Sequence, residues 1–182
     1  MERREALRYL GTAVLAPLVA PLSPAERWDL GRSLHGTLAA GVQAGRVLSP
    51  PQLAEVRALA DFILPRTETP GAVDVGAPEF LDLLLAEWYT DGDRTALLEG
   101  LDAFTQRCRT AHGLPFAELD ALRRADVLTT IDGIQGEPGT PEGAYARVKE
   151  VVVFAFITSE PIARIVNTTP IIPGRFDGCV PV

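Results

Sequence analysis

Apolar residues recur along this chain at three- and four-residue spacings, in runs punctuated by proline and glycine. That period places side chains on one face of a helix. The run "SPAERWDLGRSLHGTL" opens with a capping box: Ser23 as cap, Pro24 at the first helical position and Glu26 reaching back to the free amide. "SPPQLAEVRALADFILP" repeats the device with Ser49 and Gln52. Its stripe of Leu53, Val56, Leu59 or Ala60, and Ile63 stops at Pro65. In "PEFLDLLLAEWY" the spacing puts Phe80, Leu81, Leu84, Leu85 and Trp88 on one face. "RTALLEGLDAFTQRCRTAHG" runs Leu97, Leu101, Phe104, Cys108, with Gly113 closing the helix. "DALRRADVLTTIDG" gives Leu122, Ala125, Leu128 and Ile131 behind an Asp120 cap. The last strong segment, "TPEGAYARVKEVVVFAFITSE", begins at Thr140-Pro141. Its valine-rich end suits a strand by composition, but Tyr145, Val148 and Val152 keep a helical period, and no second strand-like run exists to pair with it.

The pattern therefore predicts an all-α fold: a single compact helical domain over residues 23–182, with long irregular loops and an extended C-terminal tail. Three stretches fall outside the helical period, residues 65–78, 133–140 and 167–182. The first and last are long for connectors in a compact domain, and loops of such length tend to carry function or disorder. At 182 residues, 47% apolar and 23% charged, the chain has the composition of one globular domain. A net charge of −7, with one lysine (Lys149) and no basic run, argues against nucleic acid as a partner.

The N-terminus changes the picture. Arg3 and Arg4 precede a stretch from Tyr9 to Leu22 that carries no charge and is mostly Ala, Leu, Val and Gly. A charged start before a modestly apolar segment is the layout of an export signal over residues 1–22. Paired arginines ahead of a weakly apolar segment resemble a twin-arginine signal, whose route carries folded proteins. The competing reading is an ordinary amphipathic first helix. Beyond this stretch no apolar run approaches the ~20 residues that span a bilayer.

Candidate chemistry is sparse. His35 and His112 are far apart in sequence and outside any ligand-spaced pair, so both read as surface or capping residues. The two cysteines, Cys108 and Cys179, form no CxxC or four-cysteine set, and the sequence makes no case for zinc, attached haem or an iron–sulfur cluster in this chain. Nucleotide-binding and nucleophile motifs are missing as well. Residues 91–102 resemble a calcium loop but lack its central glycine and terminal glutamate. Asp74, Glu79 and Asp82 read as the N-terminal region of a helix rather than an acid/base pair. Cys108 reads as a buried thiol. Cys179, in a glycine- and proline-rich tail, has three options: a bond to Cys108, a bond to another chain, or a free thiol.

Two blocks, "LADFILPRTETPGAVDVGAPEFLDLLLAEWYT" and, later, "FITSE" followed by "IPGRFDGCVPV", resemble the gluconate 2-dehydrogenase subunit 3 family. The resemblance implies a non-catalytic small subunit, with a twin-arginine signal at Arg3 and Arg4. Its partner would be a large FAD-dependent subunit of glucose-methanol-choline type that oxidises a sugar, glycoside or polyol. A cytochrome c subunit bearing haem c would take the electrons. The complex would be periplasmic and associated with the inner membrane, and the small subunit would assist export, maturation and stability of the flavoprotein through the twin-arginine translocase. The residues expected at the partner interface are Arg66, Pro70 and Gly71 in the first loop, Thr158, Ser159 and Glu160 in the second block, and Arg175, Phe176, Asp177 and Cys179 in the tail. Pro161, after Thr-Ser-Glu, departs from the family pattern. The alternatives from other classes are a stand-alone exported helical enzyme and a free binding protein.

Overall fold

The computed structural model describes residues 22–41, 47–134 and 136–167, and all structural statements below concern these. Helix α1 spans Pro24–Ala39, α2 Pro50–Ile63, α3 Ala77–Glu87, α4 Asp91–His112, α5 Ala121–Ile131, α6 Pro141–Thr158 and α7 Glu160–Asn167, with a 3-10 turn at Phe116–Glu118 between α4 and α5. No strand occurs among the described residues, as the helical spacing predicts.

Local chemistry sets most helix ends. At α1 the Ser23 amide donates to Glu26 Oε2 at 2.7 Å, completing the box with the Glu26 amide on Ser23 Oγ. At α2 the Gln52 side chain accepts from the Ser49 amide at 3.0 Å and from its hydroxyl at 2.8 Å. Thr90, Asp120 and Thr140 cap α4, α5 and α6 through the amides of Asp93, Arg123 and Gly143. Gly113 ends α4 with φ of 79°, a left-handed conformation that a Cβ disfavours.

Helix α3 lies at the centre. Phe80, Leu81, Leu83, Leu84 and Leu85 are all buried, so it is apolar around its circumference rather than along one stripe. Phe80 meets Phe154 at 5.8 Å between ring centroids, and Arg147 lies over the Tyr89 ring, so α3 and α6 run antiparallel. Helix α6 also packs against α1, α2 and α4. The α4–α6 approach depends on Gly100, where a Cβ would sit 2.8 Å from Ala144 Cβ and from the Thr140 carbonyl.

Two expectations from the apolar pattern fail. Helix α3 ends at Glu87, and Trp88, its C-cap, is 47% exposed; Tyr89 takes the buried place beneath Arg147. A helix buried on every side has no single stripe for the spacing to find. Leu122 is 85% exposed. The inward face of α5 is Val127, Leu128 and Ile131, and at its first turn Arg124 turns in, donating from Nη2 to the Ala117 carbonyl at 2.6 Å and covering Phe116. Leu122 is two residues away from Arg124 and so faces the opposite side.

Helix α6 breaks from α7 at Ser159, whose backbone is extended (ψ 144°). Pro161 falls in the first turn of α7, where a missing N–H costs no helical hydrogen bond.

Candidate functional site

The connection between α2 and α3, residues 64–76, is irregular yet closed on itself. The Ala72 amide donates to the Leu64 carbonyl at 2.9 Å, Thr67 to Thr69 at 3.1 Å, Val75 to Gly71 at 3.3 Å and Ala77 to Ala72 at 3.0 Å. A clasp crosses the loop. Arg66 Nε donates to Asp74 Oδ2 at 2.8 Å while Nη2 engages Oδ1, a forked pair, and the Gly71 amide adds a third bond to Asp74 at 2.7 Å. These contacts, the Arg66 fork foremost, hold the Asp74 carboxyl below its ordinary value. Gly71 has no substitute, because a Cβ there would lie 2.6 Å from the Arg66 nitrogen and 2.9 Å from the Leu64 carbonyl. Pro70 is half-buried, whereas Pro65, Arg66, Thr67 and Glu68 are exposed. Phe62, at the end of α2, is 38% exposed beside them.

The second expected group divides. Thr158 and Ser159 are buried in the chain's own seam between α1, α6 and α7: Thr158 Oγ1 donates to the Phe154 carbonyl at 2.8 Å and Ser159 Oγ to that of Phe156 at 2.7 Å. Gly31 of α1 rests directly on Thr158; a Cβ on Gly31 would approach it to 2.6 Å. Glu160 is exposed and pairs with Arg164 one turn along α7. Arg3, Arg4, Arg175, Phe176, Asp177 and Cys179 lie outside the described residues.

Several polar residues take roles that the sequence did not predict. His35 is neither a surface residue nor a cap. Its Nε2 stands 2.9 Å from the Ala155 carbonyl and its ring 4.9 Å from that of Phe80, so it ties α1 to α3 and α6. A carbonyl can only accept, which requires Nε2 to carry the proton. Burial pushes its pKa down, against the opposing effect of that hydrogen bond. Of the three clustered carboxylates, only Glu79 lies in the first turn of α3, where it pairs with Arg57 of α2. Asp82 is fully buried and accepts from the amides of Val47 and Leu48 at 3.1 and 2.7 Å, fixing the entry to α2.

Glu55 is the residue most easily missed. It lies on the apolar side of α2, is 2% exposed, and accepts from Thr105 Oγ1 at 3.2 Å and the Ala117 amide at 2.9 Å. Burial pushes its carboxyl up, opposed by the Ala117 bond and, less strongly, by Thr105, the Phe116 amide and the Arg109 charge. Its sequence signal was a carboxylate one turn before Leu59 on the core stripe. Cys108 is buried as expected, and burial followed by the nearby Glu55 charge pushes its thiol up to about 11. Residues 91–102 are helical throughout, so the segment that resembles a calcium loop is the first half of α4.

Glu55, Asp82, Thr158 and Ser159 are the four buried polar or charged residues identified among the described ones, and each bonds to the backbone. They fix turns and helix ends. Among the described residues no group of three or more His, Cys, Asp or Glu side chains is placed to hold a metal ion, and no helix is long and apolar enough to cross a membrane. The distinctive exposed feature is the clasped loop.

No curated protein and no solved structure matches the chain. Residues 50–174, which include α2, the clasped loop and every later described helix, match the family model described as gluconate 2-dehydrogenase subunit 3, and the chain belongs to that family.

Proposed function

We propose that this chain is the non-catalytic small subunit of a periplasmic FAD-dependent dehydrogenase acting on a sugar, glycoside or polyol. In this reading the flavin belongs to a large subunit of glucose-methanol-choline type and haem c to a cytochrome subunit. The small subunit brings the folded flavoprotein to the twin-arginine translocase through Arg3 and Arg4 and stabilises it afterwards. The observation that carries the reading is the arrangement of polar groups. The buried ones hold helix ends and turns, while the most elaborately fixed polar feature, the Arg66–Asp74 clasp, shapes an exposed loop. Such an arrangement suits a rigid surface offered to another protein, because a preformed loop loses little freedom on binding. Membership in a family of dehydrogenase subunits supports the same reading. Arg66, Pro70, Gly71 and Glu160, together with Arg175, Phe176, Asp177 and Cys179 of the tail, make up its proposed contact set. Thr158 acts behind that set by seating α1 against α6, and Ser159 by ending α6.

The test is co-expression with a flavoprotein subunit and fractionation of the cell. Wild-type chain should co-purify from the periplasm with flavin absorbance, and Arg3→Lys/Arg4→Lys should retain both proteins in the cytoplasm. Periplasmic flavoprotein in the double variant would overturn the carrier role, and a wild-type chain that co-purifies without flavin would overturn the subunit assignment.

A further inference from the structure

The exposed end of α2 and the clasped loop that follows it have more design than a connector requires. Phe62 is an aromatic side chain left 38% exposed in the last turn of α2, two residues before the loop begins. Pro65, with φ fixed by its ring, follows three residues later and is exposed as well. Arg66 uses Nε and Nη2 on Asp74, yet its side chain remains 71% exposed. One edge of the guanidinium is thereby held, leaving the Nη1 edge as a donor outside the fork. Helical ion pairs of this chain, such as Asp29–Arg32 and Glu160–Arg164, link neighbouring turns of one helix. The Arg66–Asp74 pair instead fixes the shape of an exposed loop.

Charge defines the complement. Asp61 and Glu68 are exposed at this end of α2 and the loop, and Asp74 adds a third carboxylate against the single Arg66 guanidinium. The structure assigns this surface, Phe62 to Glu68, as a docking edge for a protein face that has an apolar pocket for Phe62 and Pro65, a carbonyl acceptor opposite the outer edge of Arg66, and a cationic rim. The inference rests on the proposed subunit role and names the flavoprotein as the occupant. Aromatic and arginine side chains dominate interface energetics when desolvated at the centre, while rim charges act mainly on the association rate. Phe62 and Arg66 are accordingly the anchors, Glu68 is a steering charge, and Asp74 is a positioning residue that presets the guanidinium.

The experiment uses full-length chain co-purified with, and titrated against, the FAD-containing subunit. Phe62→Ala and Arg66→Ala should each weaken binding about tenfold or more. Asp74→Asn, which leaves Arg66 in place but weakens the fork, should give a smaller loss. Glu68→Lys should slow association several-fold and flatten its salt dependence, with little change in dissociation. Leu122→Gln, at an exposed apolar site on α5, serves as control and should bind as wild type. Circular dichroism of each variant checks the fold, and Glu68→Lys, at an exposed loop position, keeps the test intact if Phe62→Ala misfolds. Wild-type chain that captures no flavoprotein would overturn both the subunit role and this surface. Capture by wild type that is undiminished in folded Phe62→Ala and Arg66→Ala chains, or tracks Leu122 instead, would overturn the surface alone. Binding of the same edge to anionic vesicles or to a second copy of the chain, in place of the flavoprotein, would likewise refute the assignment.

Discussion

Removing the Glu55 carboxylate should separate what its hydrogen bonds contribute from what its buried charge costs. The side chain is 2% exposed and holds the Thr105 hydroxyl and the Ala117 amide, linking α2 to α4 and to the 3-10 turn. Glu55→Ala leaves both donors without this acceptor. The Thr105 hydroxyl can turn to a carbonyl one turn back in its own helix, whereas the Ala117 amide has no such option. An unsatisfied buried donor costs about 1–3 kcal/mol, and the lost side-chain volume adds a cavity. The expected loss is therefore about 2–4 kcal/mol. Glu55→Gln behaves differently. Its carbonyl oxygen can still accept from Ala117, and its amide can donate to Thr105 Oγ1, so both links survive without a desolvated charge. Its stability should stay within about 1 kcal/mol of wild type near neutral pH.

The pH dependence has a definite sign. Burial raises the Glu55 carboxyl above its ordinary value of 4.5, so the folded state holds this proton more tightly than the unfolded chain does. The resulting stabilisation is complete below the unfolded value and is lost as pH rises through the folded one. Wild type should therefore lose stability relative to Glu55→Gln as pH rises from the ordinary glutamate range through that raised value. The assay is equilibrium denaturation followed by circular dichroism on all three chains at several pH values. A wild-type-minus-Gln difference that is flat across the series, or a Glu55→Ala loss below about 1 kcal/mol, would refute the reasoning.

Gly31→Ala tests the α1–α6 seam. Ala normally stabilises a helix relative to Gly by about 0.5–1 kcal/mol, but a Cβ here would meet Thr158 at 2.6 Å, so a net loss of about 1–3 kcal/mol is expected in chemical denaturation; a gain would show that the seam has room. Leu122→Gln should change stability by no more than about 0.5 kcal/mol, since the side chain is 85% exposed, and a loss of several kcal/mol would restore Leu122 to the core.

What the sequence reveals and what it hides differ in range. The caps at Ser23, Thr140 and Asp120 and the stop at Gly113 depend on residues within one turn, and all are legible as short motifs. The His35–Ala155 and Gly31–Thr158 contacts join residues more than a hundred positions apart, and no local pattern announces them. Leu122 was misplaced for a related reason. Apolar spacing in a short helix fits more than one face, and the choice was made by Arg124 reaching the Phe116 and Ala117 carbonyls outside the helix. Arg66 was expected at a partner interface through the family resemblance, but its partner Asp74 was read as part of a helix terminus. The structure instead makes the two a single device.

The two blocks that carry the family resemblance therefore have different physical meanings. In "FITSE", Thr158 receives Gly31, Ser159 ends α6, and Glu160 begins α7, so three consecutive residues set one helix crossing and one break between helices. Substitution there acts on the fold first and on any partner only through it. In "DFILPRTETPG" the order is reversed. Gly71, with Asp74 three residues further on, builds the loop from within, while Phe62, Pro65, Arg66 and Glu68 are displayed outside it. A residue that fixes a helix crossing is explained once the crossing is described. A loop locked into shape, with an aromatic and half a guanidinium left facing solvent, is only partly explained by the chain's own stability: Asp74 holds the Gly71 amide, but the Arg66 side of the clasp is 71% exposed, and exposed ion pairs contribute little. The excess organisation lies in the loop, and that is where a partner is to be sought.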